Sequence, residues 1–265
     1  MSIVVEVMTP RDSISYNNDQ SEMNHGLESI ATKRCLLKDM GLECIGTLIF
    51  VYVSLAGVNQ AMLTNGSQLE IAACFTLGLA SAVFIANKSG AHLNPAVSFT
   101  MWMVDSEFSF RRFVLYTLSQ LTGGILAGLL VLSVYSEWID QLSTSDSFIG
   151  SYGTLKNPNM SLFRSVVDQF IGSTLLMFAI QMSIESYVQP IIIGLSLGAL
   201  GLFQGTNGFA FNLARDLGPR IASTIIFGTD AFTAMDHWFW VPIVVPFVGI
   251  PFGWALAQLL NILRY

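Results

Sequence analysis

Two short, matching stretches, one in each half of the chain, hold its chemistry-bearing residues. Gly90-Ala91-His92-Leu93-Asn94-Pro95-Ala96 and Gly208-Phe209-Ala210-Phe211-Asn212-Leu213-Ala214 share the pattern G-x-x-x-N-x-A. Asn is a favoured helix N-cap, its side-chain oxygen accepting an N–H of the first turn. Each stretch leads into an apolar piece too short to cross a bilayer, about 94–104 and about 212–223. Such a helix is about 15 Å long, half of a hydrocarbon core of about 30 Å. A helix that begins at the membrane centre leaves several N–H groups unpaired there and brings roughly half a positive charge. Two such ends meeting tip to tip repel cations, hydronium included, and admit neutral polar solutes. The amides of Asn94 and Asn212 can also donate to a solute oxygen. A water held that way does not relay a proton.

The backbone ahead of each Asn cannot be helical, so its carbonyls turn into the lumen. Gly90, Ala91 and His92 supply acceptors on one side; Gly208, Phe209 and Ala210 supply them on the other. With the Asn donors they make one polar wall, and apolar spans make the opposite one. That pairing suits a small solute with hydroxyls on one edge and carbon on the other. The His92 ring is expected to pack the loop rather than bind a metal, because no partner ligands accompany it.

The elements that position these stretches belong in lipid. Hydrophobic residues make up 52% of the 265-residue chain and charged residues 11%, and the mean hydropathy is +0.58. A soluble domain carries about 25% charge. Six long apolar segments, about 42–62, 69–87, 111–135, 163–184, 188–204 and 238–262, read as spans, with 188–204 short and Gly-rich. The predicted fold is an all-α membrane protein of six transmembrane helices plus two re-entrant half helices. Three spans and one half helix per half invert the second repeat, about 163–262, relative to the first, about 41–135. Each half opens with a carboxylate and a glycine: Glu43 and Gly46, then Asp168 and Gly172. Irregular backbone at membrane depth is tolerated only where protein buries it or where it lines a water-filled cavity.

Residues 1–40 are polar and lack the apolar region of a cleavable leader, so a mobile cytoplasmic tail is expected before a channel domain at 41–262 and a short tail at 263–265. Lys33, Arg34, Lys38, Arg111 and Arg112 mark one side as cytoplasmic, which puts both termini there. The loops opposite carry the glycosylation sequons at Asn65 and Asn159; a third, at Asn87, falls in the first re-entrant loop and reads as accidental. Cys35, Cys44 and Cys74 form neither a disulfide framework nor a zinc site. No cofactor, metal or nucleic acid is implied.

The stretches 90–97 and 212–220 closely resemble the major intrinsic protein family of aquaporins and aquaglyceroporins, over about residues 35–262. The resemblance implies an outer constriction formed by Arg215, Gly201, Phe209 and an aromatic on span 2. That aromatic is Phe75, with Cys74 as the alternative register. Water-selective members have a His at the Gly201 position and a small residue at Phe209, so this filter is wider and greasier. Tyr135, Asp216, Arg220, Pro242 and Ile243 also resemble the glycerol-conducting branch. The family further implies that Glu43 and Asp168 accept backbone N–H groups of the half-helix loops, and that the chain forms homotetramers. Gly123, Gly124, Ala127 and Gly128 allow close helix approach, which fits tight packing and does not fix an oligomer number.

One residue departs from the pattern. Leu213 stands where the family has Pro at the first helical position, which restores one N–H and loosens the turn. The expectation is a passive plasma-membrane channel for glycerol, small uncharged polyols and water. The alternative is a water-selective pore, which Gly201, Phe209 and Asp216 oppose. An enzyme is not expected: no H-E-x-x-H is present, and His25, His92 and His237 form no triad with a Ser. A proton-coupled transporter using the buried acids, a junctional protein and an ion channel complete the rival classes. Ion conduction lacks an acidic ring and faces a positive pore centre.

Overall fold

The computed structural model describes the backbone of residues 10–139 and 145–264, and the side chains of 35–138 and 149–264. Its regular secondary structure is helical throughout these residues. Two units are distinguished, Met1–Lys38 and Asp39–Tyr265. The expected tail at 1–40 is in part helix: α1 runs from Pro10 to Thr64. Once the apolar part of α1 exists, each added residue only propagates it, and nucleation is the unfavourable step. Residues 1–9 and Tyr265 of the expected tails lie outside the described residues.

In the second unit α1 is followed by α2 (Gln68–Ala86), a 3₁₀ turn at Asn87–Ser89, the half helix α3 (Pro95–Val104) and α4 (Phe110–Ile139). Then come the short α5 (Ser145–Tyr152), α6 (Leu162–Met182), α7 (Gln189–Phe203), a second 3₁₀ turn at Gly205–Asn207, and α8 (Leu213–Phe227). A short α9 (Asp230–His237), α10 (Trp240–Val244) and α11 (Pro246–Arg264) complete the chain. Five helical stretches are long and apolar enough to span a membrane: 35–64, 68–89, 110–138, 162–182 and 240–264. The sixth expected span, α7, has 15 residues, about 22 Å of helix. The second half helix runs four residues past its expected end.

Local chemistry sets the boundaries. Ser67 caps α2 with its hydroxyl on the Glu70 N–H, and the Glu70 carboxylate returns to the Ser67 N–H, a closed capping box. Ser161 caps α6 through the Arg164 N–H. Small residues let the helices cross closely. The α-carbons of Gly123 and Gly124 in α4 leave no room for a Cβ against the Cys44 and Ala214 carbonyls. Gly249 and Gly253 in α11 meet the Phe170 and Thr174 carbonyls of α6 in the same way. Each half helix thus packs against a long helix of its own or the opposite repeat: α3 against α4 and α11, α8 against α4 and α10. A shared core of Phe50, Val51, Phe75, Leu79, Leu93, Leu197, Phe209 and Phe211 joins the halves.

Candidate functional site: two re-entrant loops and their meeting point

Both loops turn on the same backbone. Each 3₁₀ turn ends on a left-handed glycine, Gly90 at φ 93° and Gly208 at φ 79°. Two bulkier residues in each loop then also take positive φ: Ala91 and Leu93 in the first, Phe209 and Phe211 in the second. Such residues cost about 1–3 kcal/mol each and persist only where surroundings hold them. The alternation breaks any helical or strand pattern and leaves the carbonyls of this segment outside regular secondary structure.

The capping asparagines lock the loops to each other. Asn94 Nδ2 donates to the Phe211 carbonyl at 2.8 Å, and Asn212 Nδ2 donates to the Leu93 carbonyl at 2.7 Å. Their Oδ1 atoms cap their own helices, on the Ala96 N–H and on the Ala214 and Arg215 N–H groups. One N–H of each amide therefore remains for a solute. The two caps have nearly the same conformation, φ −152°, ψ 120° and φ −154°, ψ 117°. Leu213 in place of Pro95 has not altered the turn.

The first loop is held by Glu43. This fully buried carboxylate accepts the Ser89 hydroxyl and the His92 N–H on Oε1, and the Leu93 N–H and the Gln120 amide on Oε2. The Tyr116 hydroxyl adds a bond to the Ser89 carbonyl. The His92 ring meets the Ser98 hydroxyl at 3.1 Å and packs on Phe108 and Tyr116. Arg112 forms an ion pair with Asp39 and lies over the Phe108 and Tyr116 rings.

Asp168 requires a correction. It is only half-buried and, among the described residues, accepts no backbone N–H on its carboxylate; the Asn207 amide donates to it at 2.9 Å. The residue in the Glu43 place is Gln169, fully buried, with Nε2 on the Asn207 carbonyl at 3.4 Å. The reason is helical phase. Glu43 precedes Gly46 by three residues, and so does Gln169 precede Gly172, whereas Asp168 precedes it by four. Gly46 faces Leu93 and Gly172 faces Phe211, the residues just before the two capping asparagines.

Phe75, Gly201, Phe209 and Arg215 come together. The Phe75 and Phe209 rings meet edge to face with centroids 4.6 Å apart. The Arg215 guanidinium carbon lies 4.9 Å from the Phe75 centroid. A Cβ on Gly201 would sit 3.0 Å from the Phe209 ring. Cys74, the alternative to Phe75, instead abuts Gly57 of α1. Arg215 is 4% exposed, yet its Nε and Nη1 have no protein partner.

Asp216 accepts the Thr154 N–H and hydroxyl on Oδ2 and Arg220 Nε on Oδ1. Arg220 also donates to the Ala231 and Thr154 carbonyls, which ties α8 to the segments after α5 and in α9. The Tyr135 hydroxyl donates to the Ala56 carbonyl at 3.3 Å. Pro242 is buried in α10 beside the half-buried Ile243. Asn65 and Asn159 are exposed. A cavity of about 480 Å³ reaches from Asp105, Glu107 and Arg112 past Gly90, Ala91 and His92 to Asn94, Ala210 and Asn212. No cluster of three or more potential metal ligands occurs among the described residues.

Sequence reasoning missed three contributors. Gln68 donates to the Gly201 carbonyl. Asn207 joins Asp168, the Gln169 amide and the Asn157 N–H. Gln120 bridges Glu43 and Ser98. Gln120 is a polar residue inside an apolar span, which was an available signal, whereas Gln68 and Asn207 sit in short polar stretches between spans and gave none.

The sequence pattern of the major intrinsic proteins matches residues 30–256, nearly the whole second unit. The chain belongs to the major intrinsic protein family. This family member is similar to glycerol uptake facilitator protein 3 of Lactiplantibacillus plantarum, with 32% identity covering 83% of this chain and 95% of that one. It is also similar to aquaglyceroporin-2 of Rhizophagus irregularis, at 31% identity over 80% of this chain and 73% of that one. Among solved structures, the aquaglyceroporin from Plasmodium falciparum matches with a TM-score of 0.78 and 26% identity, over 86% of this chain and 98% of that one. This major intrinsic protein is an integral, multi-pass membrane protein of the aquaporin fold.

Proposed function

We propose that this major intrinsic protein is a passive channel for glycerol, small uncharged polyols and water, with Phe75, Gly201, Phe209 and Arg215 as its selectivity filter. The observation that carries this is the juxtaposition of two aromatic rings and one unpartnered guanidinium around a glycine. The rings offer a carbon-compatible wall, and the guanidinium donates to hydroxyls on the other side. The names of its relatives agree with a glycerol path. Asn94 and Asn212, each with one N–H to spare, orient the solute at the midplane. Carbonyls of Gly90, Ala91, His92, Gly208 and Ala210 complete the polar wall. The paired helix N-termini and Arg215 oppose cations and protons.

The mouth at Asp105–Arg112 is cytoplasmic in this reading, with both termini on that side and the protein in the plasma membrane as a homotetramer. Asn65 and Asn159 then face outward as glycan acceptors. A water-selective pore is the second reading, and Gly201 opposes it. The test is stopped-flow light scattering on proteoliposomes, under a glycerol gradient and separately under an impermeant-solute gradient. Rapid glycerol entry with water flux is expected; water flux alone overturns the glycerol assignment.

A further inference from the structure

The two halves hold their re-entrant loops with unequal chemistry. Glu43 takes the N–H groups of His92 and Leu93, the two residues before Asn94. The equivalent N–H groups, of Ala210 and Phe211, make no hydrogen bond among the described residues. Gln169 Oε1, fully buried, has no partner either. The supporting Gln120 is also lost. Gly123 lies against the Cys44 carbonyl and Gly249 against the Phe170 carbonyl, each one residue past Glu43 or Gln169. Three residues before those glycines stand Gln120 and Pro246, and Pro has no side-chain donor. The second loop is anchored at Asn207, by Asp168 and Asn157, and at Asn212, by the Leu93 carbonyl. Between those anchors lie Phe209 and Ala210, followed by Phe211, whose carbonyl is held by the Asn94 amide.

We propose that Gln169 is a positioning residue that leaves the Phe209–Ala210 backbone compliant, and that this compliance widens the range of solutes passing between Phe209 and Arg215. A carboxylate would draw both free N–H groups onto itself, because charge-assisted bonds are roughly twice as strong as neutral ones. A neutral amide with one long bond does not. Phe209 is held at φ 39° and Phe211 at φ 49°, conformations that a looser tether lets relax. A solute larger than water needs that relaxation more than water does.

This inference rests on the channel reading above, and its test separates the two. Native protein, Gln169→Glu and Gln169→Met are compared in proteoliposomes for the ratio of glycerol to water permeability. Gln169→Glu is expected to lower the ratio by about threefold or more, on the scale of one hydrogen bond. Gln169→Met keeps the length and removes the tether, and is expected to raise the ratio. Hydrogen exchange on the native protein supplies an independent check: the Ala210 and Phe211 amides should exchange faster than those of His92 and Leu93. An unchanged ratio in a variant that still conducts glycerol, or equal protection of the two amide pairs, overturns the role of Gln169. Native protein without glycerol flux overturns the glycerol assignment instead.

Discussion

At the scale of single residues, the filter and the loop anchors follow different rules. Gly201 matters for what it lacks. A Cβ alone would press on the Phe209 ring at 3.0 Å. Gly201→His is therefore expected to cut glycerol permeability at least about tenfold, a barrier of about 1.4 kcal/mol, with water flux largely kept. Paired glycerol and osmotic assays on the same vesicles measure this. Glu43 matters for what it satisfies. Glu43→Ala strands the His92 and Leu93 N–H groups, while the Ser89 hydroxyl keeps the Ala86 carbonyl and the Gln120 amide keeps Ser98. At roughly 1–3 kcal/mol for each buried group left unpaired, a large drop in the melting temperature of the purified protein is expected. The asparagines were legible from residue type and spacing, and Glu43 stood out as an acid within an apolar segment; Arg215 and the anchoring role of Glu43 came from the family resemblance. Asp168 was misassigned because a carboxylate draws attention and an amide does not. The three-residue spacing to Gly172 carried the better signal, since one residue turns a side chain by about 100° around a helix.

At the scale of elements, spans and half helices were legible because a bilayer demands long apolar runs and a half crossing demands short ones. Their ends were less so. The second half helix continues to Phe227, and α5 and α9 sit in segments that composition left as loops. Those short helices are pinned by Asp216 and Arg220, contacts between residues far apart in sequence. Leu213 belongs to this scale as well. It opens α8 after an extended Asn212, a setting that accepts Pro both at the first helical position and after the preceding residue. Leu213→Pro is expected to stabilise the protein by about 0.4–1 kcal/mol, through the unfolded chain. Water and glycerol permeability should shift by less than about twofold. Thermal melting and stopped-flow measurements on the same preparation check both parts.

At the scale of the whole molecule, the two repeats meet through reciprocal bonds from each Asn to the other loop's backbone. A pore built on such a fixed junction needs no alternating states. Flux is therefore expected to follow the solute gradient in either direction and to be indifferent to a pH gradient across the vesicle. Uptake that accelerates with an imposed proton gradient would instead favour a transporter that uses the buried acids. The sequence by itself determined the membrane class, the inverted repeat and the pair of capping asparagines, because hydropathy and capping act over a few adjacent residues; the proposed filter residues came from the family resemblance. Only the tertiary structure decided that Phe75 rather than Cys74 meets Phe209 and Arg215, that Gln169 replaces a carboxylate, and that each Asn reaches the opposite loop. Those facts depend on helix phase and on contacts between the two halves, and nothing local in the chain encodes them.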